Sequence, residues 1–137
     1  MSFYTDVRDF HTAFGQKVGE YPQFPERKER ILREKLLEEE FNEYMRAELD
    51  DDLVEVADAL ADIIYIACGT AVSYGIPLDE VFAEVHRSNM SKLVDGKPIY
   101  REDGKVLKPA GWSPPDIKGV LDKSHTKYIC KIASITL

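Results

Sequence analysis

The residues with the most chemistry in this sequence are carboxylates. Glu39-Glu40-Phe41-Asn42-Glu43 sets three glutamates within one stretch, and Glu55-Val56-Ala57-Asp58 follows, with Asp62 one helical turn further on. A helix advances roughly 100° per residue. Glu39, Glu40 and Glu43 then fall within roughly 60° either side of Leu36, beside Leu32 and Ala47 and away from Glu34 and Glu38. Glu55, Asp58 and Asp62 share an arc of about 60° that runs on to Gly69 and Ser73, small side chains that leave room for something. Five or six carboxylates facing one another repel unless a cation neutralises them. An all-oxygen donor set suits Mg²⁺ or Mn²⁺ better than zinc. The plainer alternative is a pair of solvated acidic faces, the commonest fate of Asp and Glu. Against it, Asp58 and Asp62 interrupt a stretch rich in Ala, Ile and Leu, where unpaired charge is costly.

The elements that must position these groups are helical. Phe3, Val7, Phe10, Phe14 and Val18 recur at steps of three and four, which predicts a first helix over residues 2–18 with Phe10 and Phe14 in the core. Gly19, Pro22 and Pro25 break it, and Tyr21 and Phe24 in the break are candidates for stacking on a base. A second helix is predicted over Glu26–Leu49 and a third over Leu53–Tyr74, with an N-cap from the Asp50–Asp52 break and Gly75 as terminator. Two helices joined by so short a break pack antiparallel, which sets the carboxylate faces opposite each other. Pro77 opens a fourth helix with Val81, Val85 and Met90 inward and His86, Arg87, Asn89 and Lys92 polar. Ile99–Leu107 reads as a short hairpin about Asp103-Gly104. A Pro- and Gly-rich loop with Trp112 follows, and Tyr128–Leu137 reads as either a β-favouring segment or a disordered tail. The expected fold class is all-α, a bundle of four to five helices with a short C-terminal hairpin and loop. Because the third helix is apolar nearly all round, an oligomer is expected.

Composition bounds the rest. The chain has 137 residues, 44% hydrophobic and 31% charged, which fits one globular domain. Its 25 acidic against 18 basic residues give a net charge of −7, which argues against a duplex nucleic-acid partner. The excess is local, since 12 of the 25 lie between Glu34 and Asp62. No uninterrupted run of apolar residues is long enough for a membrane span, and the N-terminal residues lack the pattern of a secretory signal. Cys68 and Cys130 stand far apart, which suggests free thiols in a reducing cytoplasm and no structural zinc.

The order of these features resembles a known family. Glu39-Glu40-x-x-Glu43 matches the EExxE motif of the MazG-like all-α nucleoside triphosphate pyrophosphohydrolases, a superfamily similar to dimeric dUTPases and phosphoribosyl-ATP pyrophosphohydrolases. Glu55-x-x-Asp58 matches its second motif, while Ala61-Asp62-Ile-Ile-Tyr65 looks like the stretch that trails the motif aspartate, so either Asp58 or Asp62 can be the ligand. His86-Arg-Ser-Asn89-Met-Ser-Lys92, the Asp95-Gly-Lys-Pro98 stretch, the hairpin and Gly111-Trp-Ser-Pro-Pro-Asp116 resemble one branch of that superfamily. The likeness covers about residues 5–116, taken as a pyrophosphohydrolase domain over 1–116, with 117–137 a tail outside it. It implies cleavage of a (d)NTP between the α- and β-phosphates, with two or more Mg²⁺ ions, replaceable by Mn²⁺, on Glu39, Glu40, Glu43, Glu55, Asp58 and Asp62. Glu39 is the expected group orienting or deprotonating the attacking water. Arg87, Asn89 and Lys92 are expected on phosphate and sugar. Trp112 either covers the base or caps the core. The resemblance also implies a cytoplasmic homodimer or dimer of dimers that controls nucleotide pools, with dGTP or GTP slightly preferred. The alternatives are a hydrolase of dUTP or damaged nucleotides, and a non-catalytic helical interaction dimer.

Overall fold

Five helices carry the chain in the computed structural model, which describes residues 1–136: α1 Phe3–Ala13, α2 Arg27–Leu49, α3 Leu53–Tyr74, α4 Leu78–Met90 and α5 Ile117–Thr136. Each boundary has a local cause. Ser2 begins α1 through a reciprocal cap with Thr5: its hydroxyl accepts from the Thr5 N–H at 3.1 Å, and its own N–H donates to Thr5 Oγ1 at 2.9 Å. The acidic break caps α3 as expected, with Asp52 Oδ1 accepting from the N–H groups of Val54 and Glu55, each at 3.1 Å. Gly75 ends α3 at φ 67°, a left-handed conformation that a Cβ would strain. The backbone of Tyr21 also passes so close to Gly75 that a Cβ there would lie 2.2 Å from the Tyr21 carbonyl oxygen.

Packing divides the molecule in two. α2 and α3 form the main pair and α1 lies on α3, while the principal packing of α4 is against α5. Between α1 and α2 the chain is fastened to the end of α3 by Gly19 N–H to the Val72 carbonyl at 2.8 Å and Gln23 N–H to the Tyr74 carbonyl at 3.0 Å. The buried apolar residues are few and mostly small: Val7, Ala47, Ala59, Cys68, Ala71 and Val72. By length and apolarity α3 could cross a membrane, but it carries Glu55, Asp58 and Asp62 and packs on both α1 and α2, as the central helix of a bundle does.

The surface is unusually large. The chain exposes 10311 Å², whereas a folded monomer of 15.6 kDa exposes about 7,200 Å². Apolar stripes contribute to it: Leu37, Phe41 and Met45 along α2, and Leu53, Leu60 and Ile64 along α3, are all exposed.

Three expectations need correction. The first helix stops at Ala13, leaving Val18 outside it; Phe14 is 70% exposed, stacked on a half-buried Phe10 at 4.3 Å, instead of lying in the core. The segment expected as a β-favouring or disordered tail is the C-terminal half of α5, although Leu137 lies outside the described residues. Its helix is fixed by tertiary contact, because Tyr21 stacks on His125 at 5.3 Å and packs on Tyr128 at 4.6 Å, which outweighs the strand preference of Ile. The hairpin is minimal: a single bridge joins Tyr100 and Val106, with Leu107 N–H to the Ile99 carbonyl at 2.7 Å, and there are no strands among the described residues.

Candidate active site

The α2–α3 pair brings the predicted carboxylates to a common seam centred on Glu40. Glu40 is half-buried, and its Oε2 atom is buried with no hydrogen-bond partner. Burial raises its pKa above the usual carboxylate range, and the negative charges of Asp62, Glu43, Glu39 and Asp58 raise it further, in that order. Asp62 is half-buried and is the strongest of these neighbours; Glu39, Glu43 and Asp58 are exposed at the rim. Glu55 stands apart, exposed on the first turn of α3 with its backbone N–H held by Asp52.

Among the described residues no three His, Cys, Asp or Glu side chains close into a ready ligand set. The arrangement is an open cluster of oxygen donors around one orphaned, buried carboxylate oxygen. A hard divalent cation fits such a donor set, because it supplies the positive charge missing beside Glu40 and prefers oxygen ligands, with water completing its shell.

Two turns N-terminal of Glu40 on the same face of α2, the seam holds a charge that sequence reasoning missed. Arg33 is buried, donating from Nε to Thr70 Oγ1 at 3.2 Å and from Nη2 to the Ile66 carbonyl at 3.1 Å. Burial pulls its pKa below the usual value, with Glu29 opposing. His11 is buried beside it, its Nδ1–H donating to the Lys17 carbonyl at 2.8 Å. The room expected beside Gly69 is therefore occupied by the chain itself. A Cβ at Gly69 would lie 2.4 Å from Arg33 Nη2 and 2.9 Å from His11 Nε2. Ser73 is likewise engaged, donating to Glu29 Oε1 at 2.8 Å. The available signal was the spacing: Arg33 and Glu40, like Asp62 and Gly69, are seven residues apart and share a helix face.

The other candidates assemble on α4 and the following loop. Arg87 grips Glu84 with two hydrogen bonds, of 2.9 and 2.8 Å, and donates to the Pro114 carbonyl at 3.2 Å. Together with the Asp116 N–H, Arg87 holds the Glu84 carboxyl down to about 2. Ser88 Oγ donates to the Ser113 carbonyl at 2.8 Å, and the Ser113 N–H returns to Ser91 Oγ at 3.1 Å. Lys92 Nζ donates to Asn89 Oδ1 at 2.8 Å. Trp112 is half-buried with Nε1 unpartnered, and Lys108 Nζ sits 4.5 Å above its ring. His86 is exposed. Tyr21 is committed to α5, and Phe24 packs edge-on to Tyr74 at 5.8 Å with Arg30 over its face. Arg87, Asn89, Lys92 and Trp112 are thus grouped with one another on the part of the chain packed with α5, not on the α2–α3 pair.

Similarity to known proteins runs across this division. An uncharacterized protein of Acanthamoeba polyphaga mimivirus is 29% identical over 138 residues, covering 96% of this chain and 53% of that protein. The chain thus spans about half the length of that relative. The profile of phosphoribosyl-ATP pyrophosphohydrolases matches residues 7–89, from α1 through α4 and across the whole carboxylate seam. With more than half of its length matched, the chain belongs to the phosphoribosyl-ATP pyrophosphohydrolase family, all-α enzymes of the MazG-like superfamily that hydrolyse nucleotide pyrophosphate bonds.

Proposed function

We propose that this protein is a Mg²⁺-dependent nucleoside triphosphate pyrophosphohydrolase that cleaves a (d)NTP between the α- and β-phosphates to a nucleoside monophosphate and pyrophosphate. The observation that carries this reading is Glu40, a half-buried glutamate with one buried, unpartnered oxygen among four other acids. A structural role would have supplied it with a donor. Glu40, Glu43, Asp58 and Asp62, with Glu55 and Glu39 at the periphery, are the residues to hold two or more ions, Mg²⁺ or Mn²⁺. When bound, such ions neutralise the phosphoryl oxygens and the leaving pyrophosphate and make water more acidic. Glu39, exposed beside the buried Glu40, is the group to orient the attacking water and receive its proton.

Arg87, Asn89, Lys92 and Trp112 are the substrate contacts in this reading, and oligomerisation is the route that brings them to the carboxylates. The surface excess of roughly 3,000 Å² per chain over a monomer of this mass is about 6,000 Å² for a pair, at the upper end of what obligate interfaces bury. The apolar stripes on α2 and α3 are the surfaces to cover, in a homodimer or a dimer of dimers. We assign the enzyme to free nucleotides of the cytoplasmic pool, with no nucleic-acid or membrane partner. Guanine nucleotides are our first choice of substrate.

Incubating the purified protein with each of the eight (d)NTPs and Mg²⁺, with ion-exchange separation of products, tests this. The expected products are monophosphate and pyrophosphate. Release of inorganic phosphate refutes the bond assignment, and preferential cleavage of dUTP or of an oxidised nucleotide reassigns the substrate.

A further inference from the structure

A cavity of about 730 Å³ opens between α1, the Val18–Glu20 segment, the α3–α4 turn and α5, and none of the seam carboxylates lines it. Its volume is that of a small-molecule site. Three cations face it, Arg8 from α1 and Lys127 and Lys131 from α5. Among the described residues none of the three side chains makes an ion pair or a hydrogen bond. The lysines are four residues apart and so stand on one face of α5.

The acids of the cavity come from other elements than those lysines. Asp79 and Glu80 occupy the first turn of α4, where Asp79 accepts from Ser2 Oγ at 2.7 Å, and Glu20 lies near Tyr128, whose hydroxyl it helps to keep protonated. Tyr4 lines the same cavity, half-buried, and its hydroxyl keeps its proton more firmly than usual because of burial, with Arg8 opposing and Glu80 and Asp79 adding. A simple anion would satisfy the cations and leave the acids facing it, while an apolar ligand would strip both of water. The match is a molecule with a phosphate at one end, a flat ring for the tyrosine faces, and hydroxyl or amino donors at the other.

We propose that this cavity binds a nucleoside monophosphate, its phosphate on Lys127, Lys131 and Arg8 and its sugar and base donors toward Asp79 and Glu80. A phosphate monoester carries about −1.5 to −2 charges, and charge-assisted bonds from spare Lys and Arg donors are its strongest recognition. Such a site needs no divalent ion. If the reaction proposed above holds, its occupant is the product, so the enzyme senses the pool it fills; that identity rests on the proposed reaction, whereas the site does not.

Calorimetric titration of the full chain in EDTA with GMP, AMP, UMP and CMP in turn, alongside the matching nucleosides and inorganic phosphate, tests the site. The expected result is one monophosphate per chain, bound at least tenfold more tightly than its nucleoside or phosphate alone. Lys127→Gln/Lys131→Gln, which alters exposed side chains only, should weaken it at least tenfold. In the wild-type protein, amide exchange in α1 and α5 should slow when the monophosphate is added, a readout that requires no variant to fold. No binding in EDTA, unchanged affinity in the lysine variant, or unchanged exchange in α1 and α5 would each overturn the proposal. Equal affinity for nucleoside or for phosphate would overturn the ligand class. Turnover with Mg²⁺ but no binding in EDTA sinks this site alone; binding in EDTA without pyrophosphate release sinks the proposed reaction alone.

Discussion

Glu40 and Glu84 are both partly buried glutamates beside clustered charges, and their surroundings treat them in opposite ways. Glu84 is gripped twice by Arg87, accepts from the Asp116 N–H, and has its carboxyl pulled down to about 2. Glu40 has an oxygen with no donor and four acids for neighbours, and its pKa is pushed up. The first is a fastener: its network ties α4 to the loop at Ser113–Asp116 and its electrostatic needs are met. The second costs stability as it stands, and a fold keeps such a residue when the missing charge arrives with a ligand. Where polar groups are satisfied the structure is being held; where one is left unsatisfied, as at Glu40, a bound ion completes it in the proposed reading.

The largest effect expected from this contrast is at Glu40. Glu40→Gln keeps the shape and removes the charge. Divalent-dependent turnover should fall by at least about 100-fold, the scale of losing an electrostatic contact made to the reacting groups. In EDTA the melting temperature should rise, because a repelled carboxylate has been replaced by a neutral amide. Loss of activity with gain in stability is a combination that a purely structural glutamate would not give. Wild-type turnover in Glu40→Gln would leave the seam as no more than an acidic surface.

The Arg33 site is the opposite case within the same helix pair. Its guanidinium is pinned by Thr70 and Ile66 and its neighbour His11 by Lys17, so neither can swing away from Gly69. Gly69→Val should therefore destabilise by about 3 kcal/mol, the upper range for overpacking a filled core. Denaturant melts monitored by circular dichroism would measure it. A loss below about 0.5 kcal/mol, the scale of an ordinary surface substitution, would mean that Arg33 and His11 move aside and do not fix the α2–α3 register.

A smaller effect is expected where α5 meets the rest of the chain. Tyr21→Leu keeps an apolar side chain and removes the stacking on His125 and Tyr128, for a cost of about 0.5–1.5 kcal/mol. The loss should be local, seen as faster amide exchange over residues 121–132 while α2 and α3 stay protected. Uniform acceleration across all helices would show that α5 unfolds only with the whole molecule.

This helix also marks where sequence reading stops. α1 to α4 were legible because their apolar residues recur at helical spacing and because the Asp50–Asp52 break, Gly75 and Pro77 punctuate them, although α1 ends at Ala13 and not at Val18. The carboxylate seam was legible because its residues repeat on one face of two consecutive helices. α5 was not, since Ile129, Ile132 and Ile135 favour strands in isolation and its partner Tyr21 lies about a hundred residues away. Arg33 was missed for a related reason. An arginine reads as surface unless the facing glycine is known, and the pairing of Arg33 with Gly69 is a tertiary fact. The pairing of Arg87 with Glu84, three residues away on its own helix, was by contrast open to the linear pattern, though its further bond to the Pro114 carbonyl was not.

The smallest effect sharpens the opening contrast through pH. Glu84 has a folded pKa of about 2 against an ordinary 4.5, so its contribution to stability is complete above pH 4.5 and is lost as the pH falls toward 2. Glu40 is shifted the other way. Its penalty is greatest above its raised pKa and is relieved as acidification protonates it, so stability from this residue rises as pH falls toward 4.5. Melting temperatures measured in EDTA from pH 7 to 2.5 should therefore lose part of their rise between 7 and 4.5 in Glu40→Gln, and part of their fall below 4.5 in Glu84→Gln. The Glu84 component should be slight, because its partner Arg87 is 47% exposed and water screens such pairs. Superimposable profiles for the two variants would mean that the two glutamates do not differ in the way their partners require.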